Sequence, residues 1–191
     1  SFYHIGKKPT MDAYADYLAA FVKMKYRRKR VTIVGLSFGF VVATRMFQRY
    51  PELASKVDLV VNIVGFMHHT DFKFSPKQRK LFVGVARTLT VPPLPWLIRR
   101  TWLTAPVIKN IYVRTPSGKL RFHEVGAERY DRLLDFEVRL WQANDVRTHW
   151  FTTSEFLKID NCRTHIGLPV WHVVSSNDQH FDNAVVEQHM K

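Results

Sequence analysis

Many hydrophobic residues of this sequence fall into a few short, mostly apolar runs, separated by longer segments with helical spacing. The runs begin at Val31, Val57 and Leu168 and are rich in valine, isoleucine and leucine. Continuous apolar runs of this length are typical of parallel strands that are buried on both faces. Around them, apolar residues recur every three or four positions, which indicates amphipathic helices. The pattern therefore predicts an α/β fold on a parallel sheet.

The first helix is predicted to begin after Thr10, a residue that suits a helix N-cap, with Asp12 favourable in the first turn. A one-sided apolar stripe then marks the face that we expect to pack on the core. Its members are Tyr14, Tyr17, Leu18, Phe21 and Val22. A second helix, with an apolar face of Val41, Val42, Met46 and Phe47, follows the first strand and is closed by Pro51.

The segment from Phe74 to about Asp160 does not continue the alternation of strand and helix. A proline cluster at 92–95 and a turn at 115–118 interrupt it. Helical patterns cover 81–89 and 96–103, and a longer one runs from Tyr130 to Trp141. We therefore predict a mostly helical insertion at 72–163 between two parts of an α/β core, 1–71 and 164–191.

The first strand runs directly into Gly35-Leu36-Ser37-Phe38-Gly39, and a helix pattern follows at once. A turn this tight leaves no room for side chains at its two flanking positions, so glycine at 35 and at 39 is expected to avoid a clash. Ser37 is then held on a strained corner above the sheet. The N-terminus of the next helix brings free N–H groups and a partial positive charge beside it.

This Gly-x-Ser-x-Gly arrangement resembles the nucleophile elbow of the α/β-hydrolase superfamily, and the resemblance covers nearly the whole chain. It implies an α/β-hydrolase-like sheet, strands five to seven of the family, with a mainly helical cap at 72–163. It also implies a serine hydrolase that acts on an apolar acyl ester through a Ser-His-Asp triad without a cofactor. Ser37 would be the nucleophile, and the backbone N–H of Phe38 one oxyanion donor. Phe40 stands where many members have a second glycine, which indicates a bulkier packing contact.

The resemblance assigns the triad acid to Asp178, in the loop after the third predicted strand. Asp182 and Asp71 are alternatives. No catalytic histidine is assigned, because His180 is too near Asp178 in sequence and His189 lies on a helix pattern. The family's first four strands and its final strand are also missing, so the resemblance implies a fragment. One edge of its first strand would lack a partner and favour aggregation.

The loop at 65–71 follows the second strand, and ligands of doubly wound sheets bind at the carboxyl ends of strands. We therefore expect Phe66, Met67 and His68 to bind substrate. His68 and His69 invite a metal assignment. Adjacent histidines do not share a face, however, and no cysteine or carboxylate cluster completes a ligand set, so no metal site is predicted.

The net charge is +13, and no acidic residue occurs between Phe72 and His123, where eleven lysines and arginines lie. This stretch predicts either an anionic partner or a solvated basic face. The alternative to a hydrolase is therefore a non-enzymatic protein on the same scaffold, whose basic cap contacts an anionic membrane through residues 96–103. No nucleic-acid-binding motif accompanies the charge, so nucleic acid is not an expected partner.

The cysteine content and the aromatic residues of the insertion bear on the cellular compartment and on a possible acyl pocket. The single cysteine, Cys162, excludes an internal disulfide and fits a reducing compartment. No signal peptide or membrane span is visible, so we predict a cytoplasmic protein. A group of aromatic residues in the insertion either lines an acyl pocket or packs the cap on the core. These are Trp96, Trp102, Phe122, Trp141, Trp150 and Phe151.

Overall fold

The computed structural model describes residues 6–115 and 126–190. Within them, the three strands form one parallel sheet in the order β1-β2-β3. The strands are β1 (Val31–Leu36), β2 (Val57–Ile63) and β3 (Val170–Val173). The helices are α1 (Met11–Lys25), α2 (Phe38–Arg49), α3 (Pro76–Thr88), α4 (Leu94–Thr101), α5 (Ala105–Arg114), α6 (Ala127–Ala143), α7 (Val146–Phe156) and α8 (Asn183–Met190). A short 3₁₀ helix, Pro51–Lys56, links α2 to β2. The α/β class is confirmed.

The two faces of the sheet differ in how well they are covered. On one face Val60 packs in a buried cluster with Ala19 of α1 and Phe47 of α2. The other face carries Val34 of β1, which is paired through β2 with Trp171 of β3, and both side chains are exposed. β1 pairs with β2 alone among the described strands. The sheet therefore presents an apolar face and an edge.

Helix α1 begins where the sequence predicts, with the Thr10 hydroxyl accepting a hydrogen bond from the Ala13 N–H at 3.1 Å. The predicted buried face is wrong in part, because Tyr17 and Phe21 are exposed. Two small residues, Ala15 and Ala19, are buried in their place and allow α1 to approach α2 closely.

Ion pairs between α1 and α2 agree with burial of the face of α1 that carries the two alanines. Asp12 lies 2.7 Å from Nε of Arg45 and 2.9 Å from Nη1 of Arg49. Asp16 lies 2.8 Å from Nε of Arg49. Burial of the alanines and pairing of the aspartates select the same face of α1. The regular spacing of the larger aromatic residues is therefore misleading here.

Helices α3 to α7 form the insertion between β2 and β3. Three of them match the predicted helical patterns, whereas α5 and α7 do not correspond to any. Asp145 caps the N-terminus of α7, and its carboxylate accepts a hydrogen bond from the Thr148 N–H at 2.6 Å. None of the helices in the described part of the chain has the length and apolar run that crossing a bilayer requires. Lys119, Arg121 and Phe122 lie outside the described residues.

Candidate active site

Ser37 occupies the corner between β1 and α2. Its backbone has φ 49° and ψ −116°, a strained conformation for a residue with a side chain. Two hydrogen bonds hold the corner. The Ser37 N–H donates to the Ile63 carbonyl at 2.8 Å, and the Ser37 carbonyl accepts from the Phe40 N–H at 3.1 Å. The Ser37 hydroxyl does not cap the helix.

The two glycines beside Ser37 do not have equal roles. A Cβ atom at Gly35 would lie 2.5 Å from Cα and 2.7 Å from the backbone nitrogen of Phe40, closer than atoms can approach. A Cβ atom at Gly39 would meet nothing within 4 Å. The prediction that both glycines relieve a clash is correct for Gly35 and wrong for Gly39, because residue 39 already lies on the open side of α2.

A second requirement for glycine occurs at residue 65. An added Cβ there would lie 2.1 Å from Oδ1 of Asn62 and 2.8 Å from Cβ of Phe40. Phe40 is fully buried and packs beneath the ends of both β1 and β2. The packing contact expected from Phe40 is thus observed.

A second strained residue lies at the end of the neighbouring strand. Val64 has φ 49°, which is rare for a β-branched residue. Its N–H donates to the Val173 carbonyl of β3 at 2.8 Å. Strained backbone at the carboxyl ends of two adjacent strands is characteristic of functional sites, because the surrounding structure must stabilise it.

The Ser37 corner opens into a cavity of about 490 Å³, which we call the serine cavity. Its walls are mostly aromatic, and α3 and α7 of the insertion supply part of them. The lining comprises Ser37, Phe38, Phe66, Phe72, Phe74, Phe82, Val85, Trp150, Thr153, Phe156, Leu157, His180 and Phe181. A cavity of this size and apolar character suits a small-molecule ligand with an apolar group.

The residues predicted to surround Ser37 are only partly brought together. Phe38 and Phe66 line the serine cavity, and the Phe66 ring stacks on Phe181 at 5.0 Å. Met67 lines a different cavity of about 270 Å³. The His68 imidazole lies 2.6 Å from the Thr70 hydroxyl and is absent from the serine cavity's lining. Of the three residues expected to bind substrate, Phe66 therefore lines the serine cavity, whereas Met67 and His68 do not.

Asp178 lies in the loop after β3, as its sequence position predicts. Its Oδ1 accepts hydrogen bonds from the N–H groups of His180 at 2.7 Å and Phe181 at 2.9 Å. This turn carries His180 and Phe181 into the lining of the serine cavity. The alternative acid Asp182 instead accepts a hydrogen bond from the Ala184 N–H at 3.1 Å, at the start of α8.

Asp71, the other alternative acid, is fully buried and forms a pair that the sequence did not predict. Its Oδ1 lies 2.5 Å from Nδ1 of His189 on α8. Its Oδ2 accepts from the N–H groups of Met67 at 2.8 Å and His68 at 3.0 Å. His189 shares the smaller cavity with Met67 rather than the serine cavity. The pair therefore attaches α8 to the loop after β2.

The surroundings of this loop lower the pKa of both of its histidines. Burial lowers the pKa of His68, and the charge of His189 lowers it further. Burial also lowers the pKa of His69, with an added contribution from His68. In the described residues, no group of three or more histidine, cysteine, aspartate or glutamate side chains is arranged to hold a metal ion.

Comparison with solved structures places this architecture among known folds. An esterase from Thermogutta terrifontis superposes with a TM-score of 0.59 at 15% identity, covering 94% of this chain and 59% of its own. A hydrolase from Oleispira antarctica gives a TM-score of 0.61 at 12% identity, covering 95% and 59%. An enol-lactonase from Burkholderia xenovorans gives 0.58 at 15% identity, covering 96% and 61%. The chain has the α/β-hydrolase fold.

The similarity of structures shows this fold. No protein-family model and no curated protein sequence matches the chain. The chain spans about three fifths of the length of the three hydrolase structures. Within the α/β-hydrolase frame, the Ser37 corner lies at the end of β1 and the insertion α3–α7 contributes to its cavity.

Proposed function

We propose that the protein that carries these 191 residues is a serine hydrolase of the α/β-hydrolase type that cleaves carboxylic esters with an apolar acyl group. The observation that carries this proposal is the position of Ser37. It lies on a strained corner with φ 49°, at the N-terminus of α2 and in the wall of an aromatic cavity of about 490 Å³. Strain of this kind at a cavity wall is expected of an activated nucleophile in the nucleophile-elbow geometry.

The neighbouring groups fit the roles that ester cleavage needs. The Ser37 hydroxyl would attack the acyl carbonyl as its proton passes to a histidine base. The alcohol would leave with that proton, and water would then release the acid from the acyl-serine. The N–H of Phe38, the first residue of α2, would stabilise the oxyanion, aided by the positive end of the helix. Asp178 would orient the base, because its loop borders the serine cavity. The proposal leaves the histidine unassigned, since His189 belongs to the smaller cavity.

Apolar lining supports the choice of an ester with an apolar acyl group over a charged substrate. Phe66, Phe72 and Phe181 pack against one another with ring centroids 4.8 to 5.0 Å apart. Such a wall favours hydrocarbon, because burying a charge there without a partner is costly.

The test is covalent labelling of the protein with a fluorophosphonate, read by mass spectrometry. We expect one label, on Ser37, and we expect Ser37→Ala to abolish it. Ser175→Ala, which alters an exposed serine after β3, should leave labelling unchanged. Labelling that persists in Ser37→Ala, or is absent from the wild type, would contradict the proposal.

A second candidate function is attachment to an anionic membrane surface through the insertion. Its support is helix α4 and the residue that follows it, where Trp96 is 61% and Trp102 65% exposed. The Arg100 guanidinium lies 5.8 Å from the centre of the Trp96 ring. Exposed tryptophan beside cations is typical of helices that lie at a lipid interface.

This candidate predicts binding to vesicles that contain phosphatidylserine, and weaker binding to phosphatidylcholine alone or at high salt. Trp96→Ala should weaken sedimentation with the vesicles. Trp171→Ala, which removes an equally exposed tryptophan from the sheet, should not. Equal loss in both variants, or no dependence on salt, would reject the candidate.

A further inference from the structure

A second cavity of about 480 Å³ lies within the insertion, and we call it the cap cavity. It is lined by residues of α4, α5, α6 and α7 and is partly open to solvent. Its walls include three tryptophans, Trp102, Trp141 and Trp150, together with Ile108 and Ile111. The volume is that of a pocket for a drug-sized molecule.

Hydrogen bonds fix the walls of the cap cavity. Arg99 donates to the carbonyls of Gln142 at 3.2 Å and Asn144 at 3.4 Å, which ties α4 to the link between α6 and α7. The Gln142 side chain donates to the Leu103 carbonyl at 3.2 Å. The cavity is thus formed by connected elements.

The polar atoms in the wall are largely bonded within the protein. The Tyr112 hydroxyl donates to Oε2 of the buried Glu137 at 2.7 Å and accepts from Nε1 of Trp141 at 3.0 Å. His149 packs edge-on against Trp141 and Trp150, with ring centroids 5.5 and 5.3 Å apart. Burial lowers the pKa of His149, which disfavours a positive charge on its imidazole. The wall therefore favours a hydrocarbon ligand over a charged one.

Trp150 connects this cavity to the proposed chemistry. Its side chain is in the wall of the cap cavity and also in the wall of the serine cavity. The adjacent turn of α7 contributes His149 to the first and Thr153 to the second. One indole ring thus separates two apolar spaces of nearly equal volume.

We infer that the two cavities are compartments of one binding site for esters with a long apolar acyl chain. Trp150 is the partition between the compartments, which the acyl chain of the ligand must pass. The orientation, with the ester at Ser37 and the chain end in the cap cavity, rests on the proposed function. The residence of hydrocarbon in the cap cavity does not. Each methylene that becomes buried beyond Trp150 should tighten binding by about fourfold.

The experiment uses the Ser37→Ala variant of the protein that carries these 191 residues, so that the ester probes are not cleaved. Its tryptophans are replaced by 5-fluorotryptophan, assigned by single Trp→Phe variants and observed by ¹⁹F NMR. Methyl hexanoate and methyl dodecanoate are the probes. Methyl dodecanoate should shift the resonances of Trp150 and Trp141, and methyl hexanoate that of Trp150 alone. Trp96 and Trp171, which line neither cavity, should not move with either ester. Failure of Trp141 to shift at saturating dodecanoate would overturn the inference.

A matched pair of variants tests whether the two compartments act together. Ile111→Phe reduces the cap cavity and Val85→Phe reduces the serine cavity, both from half-exposed helix positions. Ile111→Phe should weaken dodecanoate binding by about tenfold and leave hexanoate unchanged, whereas Val85→Phe should weaken both. If Val85→Phe leaves the affinity for methyl dodecanoate unchanged, the two cavities are independent sites and the inference is refuted.

Fluorophosphonate labelling, measured separately, distinguishes failure of the inference from failure of the proposed function. If Trp141 shifts but Ser37 is not labelled, the cap site stands and the hydrolase proposal fails. If Ser37 is labelled but Trp141 does not shift, the hydrolase proposal stands and its long-chain substrate class fails.

Discussion

Replacing Gly35 with alanine should disrupt the corner that presents Ser37. The new methyl group would be 2.5 Å from Cα and 2.7 Å from N of Phe40, so the obstacle is backbone and cannot rotate away. Overpacking usually costs about 1–3 kcal/mol, and an immovable neighbour places this change near the upper end, at about 3 kcal/mol. In a chain of this length, that corresponds to a fall of roughly 6–12 °C in Tm.

Gly39→Ala is the matched control, because it adds the same methyl group two residues beyond Ser37. It would meet nothing within 4 Å, and residue 39 is in the first turn of α2. Alanine is the better helix former, so stability should rise by about 0.5 kcal/mol. Thermal unfolding followed by circular dichroism at 222 nm measures both. A Gly35→Ala variant as stable as wild type, or a Gly39→Ala variant as unstable as Gly35→Ala, would refute the reasoning.

Three further predictions concern other parts of the molecule. Asp71→Ala should lower the free energy of unfolding by about 3 kcal/mol, because it leaves the N–H groups of Met67 and His68 without their acceptor. The same variant should still be labelled on Ser37 by fluorophosphonate, whereas Asp178→Ala should lose the labelling. Burial, with nearby Asp71, raises the pKa of Cys162 to about 11. Iodoacetamide at pH 8 should therefore react with Cys162 roughly a hundredfold more slowly than with a free thiol of pKa near 9. Reaction at the rate of the free thiol would contradict this. Val34→Thr should reduce self-association in sedimentation velocity by interrupting the exposed apolar sheet face, and unchanged association would exclude that face as its cause.

The strands and the Ser37 corner could be predicted because their determinants are local. A run rich in valine, isoleucine and leucine marks a parallel strand, and glycine at 35 indicates a close approach to the next helix. The prediction that the strands are buried on both faces is wrong, because one face of the sheet exposes Val34 and Trp171. The face of α1 could not be read in the same way. Its burial is decided by how closely Ala15 and Ala19 allow α2 to approach, and aromatic residues such as Phe21 carry a stronger but misleading signal.

The pair of Asp71 and His189 was beyond sequence reasoning for a different reason. The two residues are 118 positions apart, and each belongs to an ordinary local pattern, a loop and a short helix. Similarly, Trp150 lies on a helix whose threonines and histidine obscure its periodicity, so its place between two cavities depends on packing alone. The order of the elements is encoded locally, while the walls of the site arise from contacts between distant segments.

The unequal constraints around Phe40 have a consequence for anyone who wishes to redesign this site. At position 35 the obstruction is main chain, so no choice of amino acid at position 40 can make room for a larger residue there. At position 65 the obstructing atoms are Oδ1 and Cγ of Asn62 and Cβ of Phe40, so shortening Asn62 and placing glycine at position 40 would open it. Variation should therefore be introduced at the end of the second strand, in concert with its two neighbours, while the end of the first strand is kept invariant.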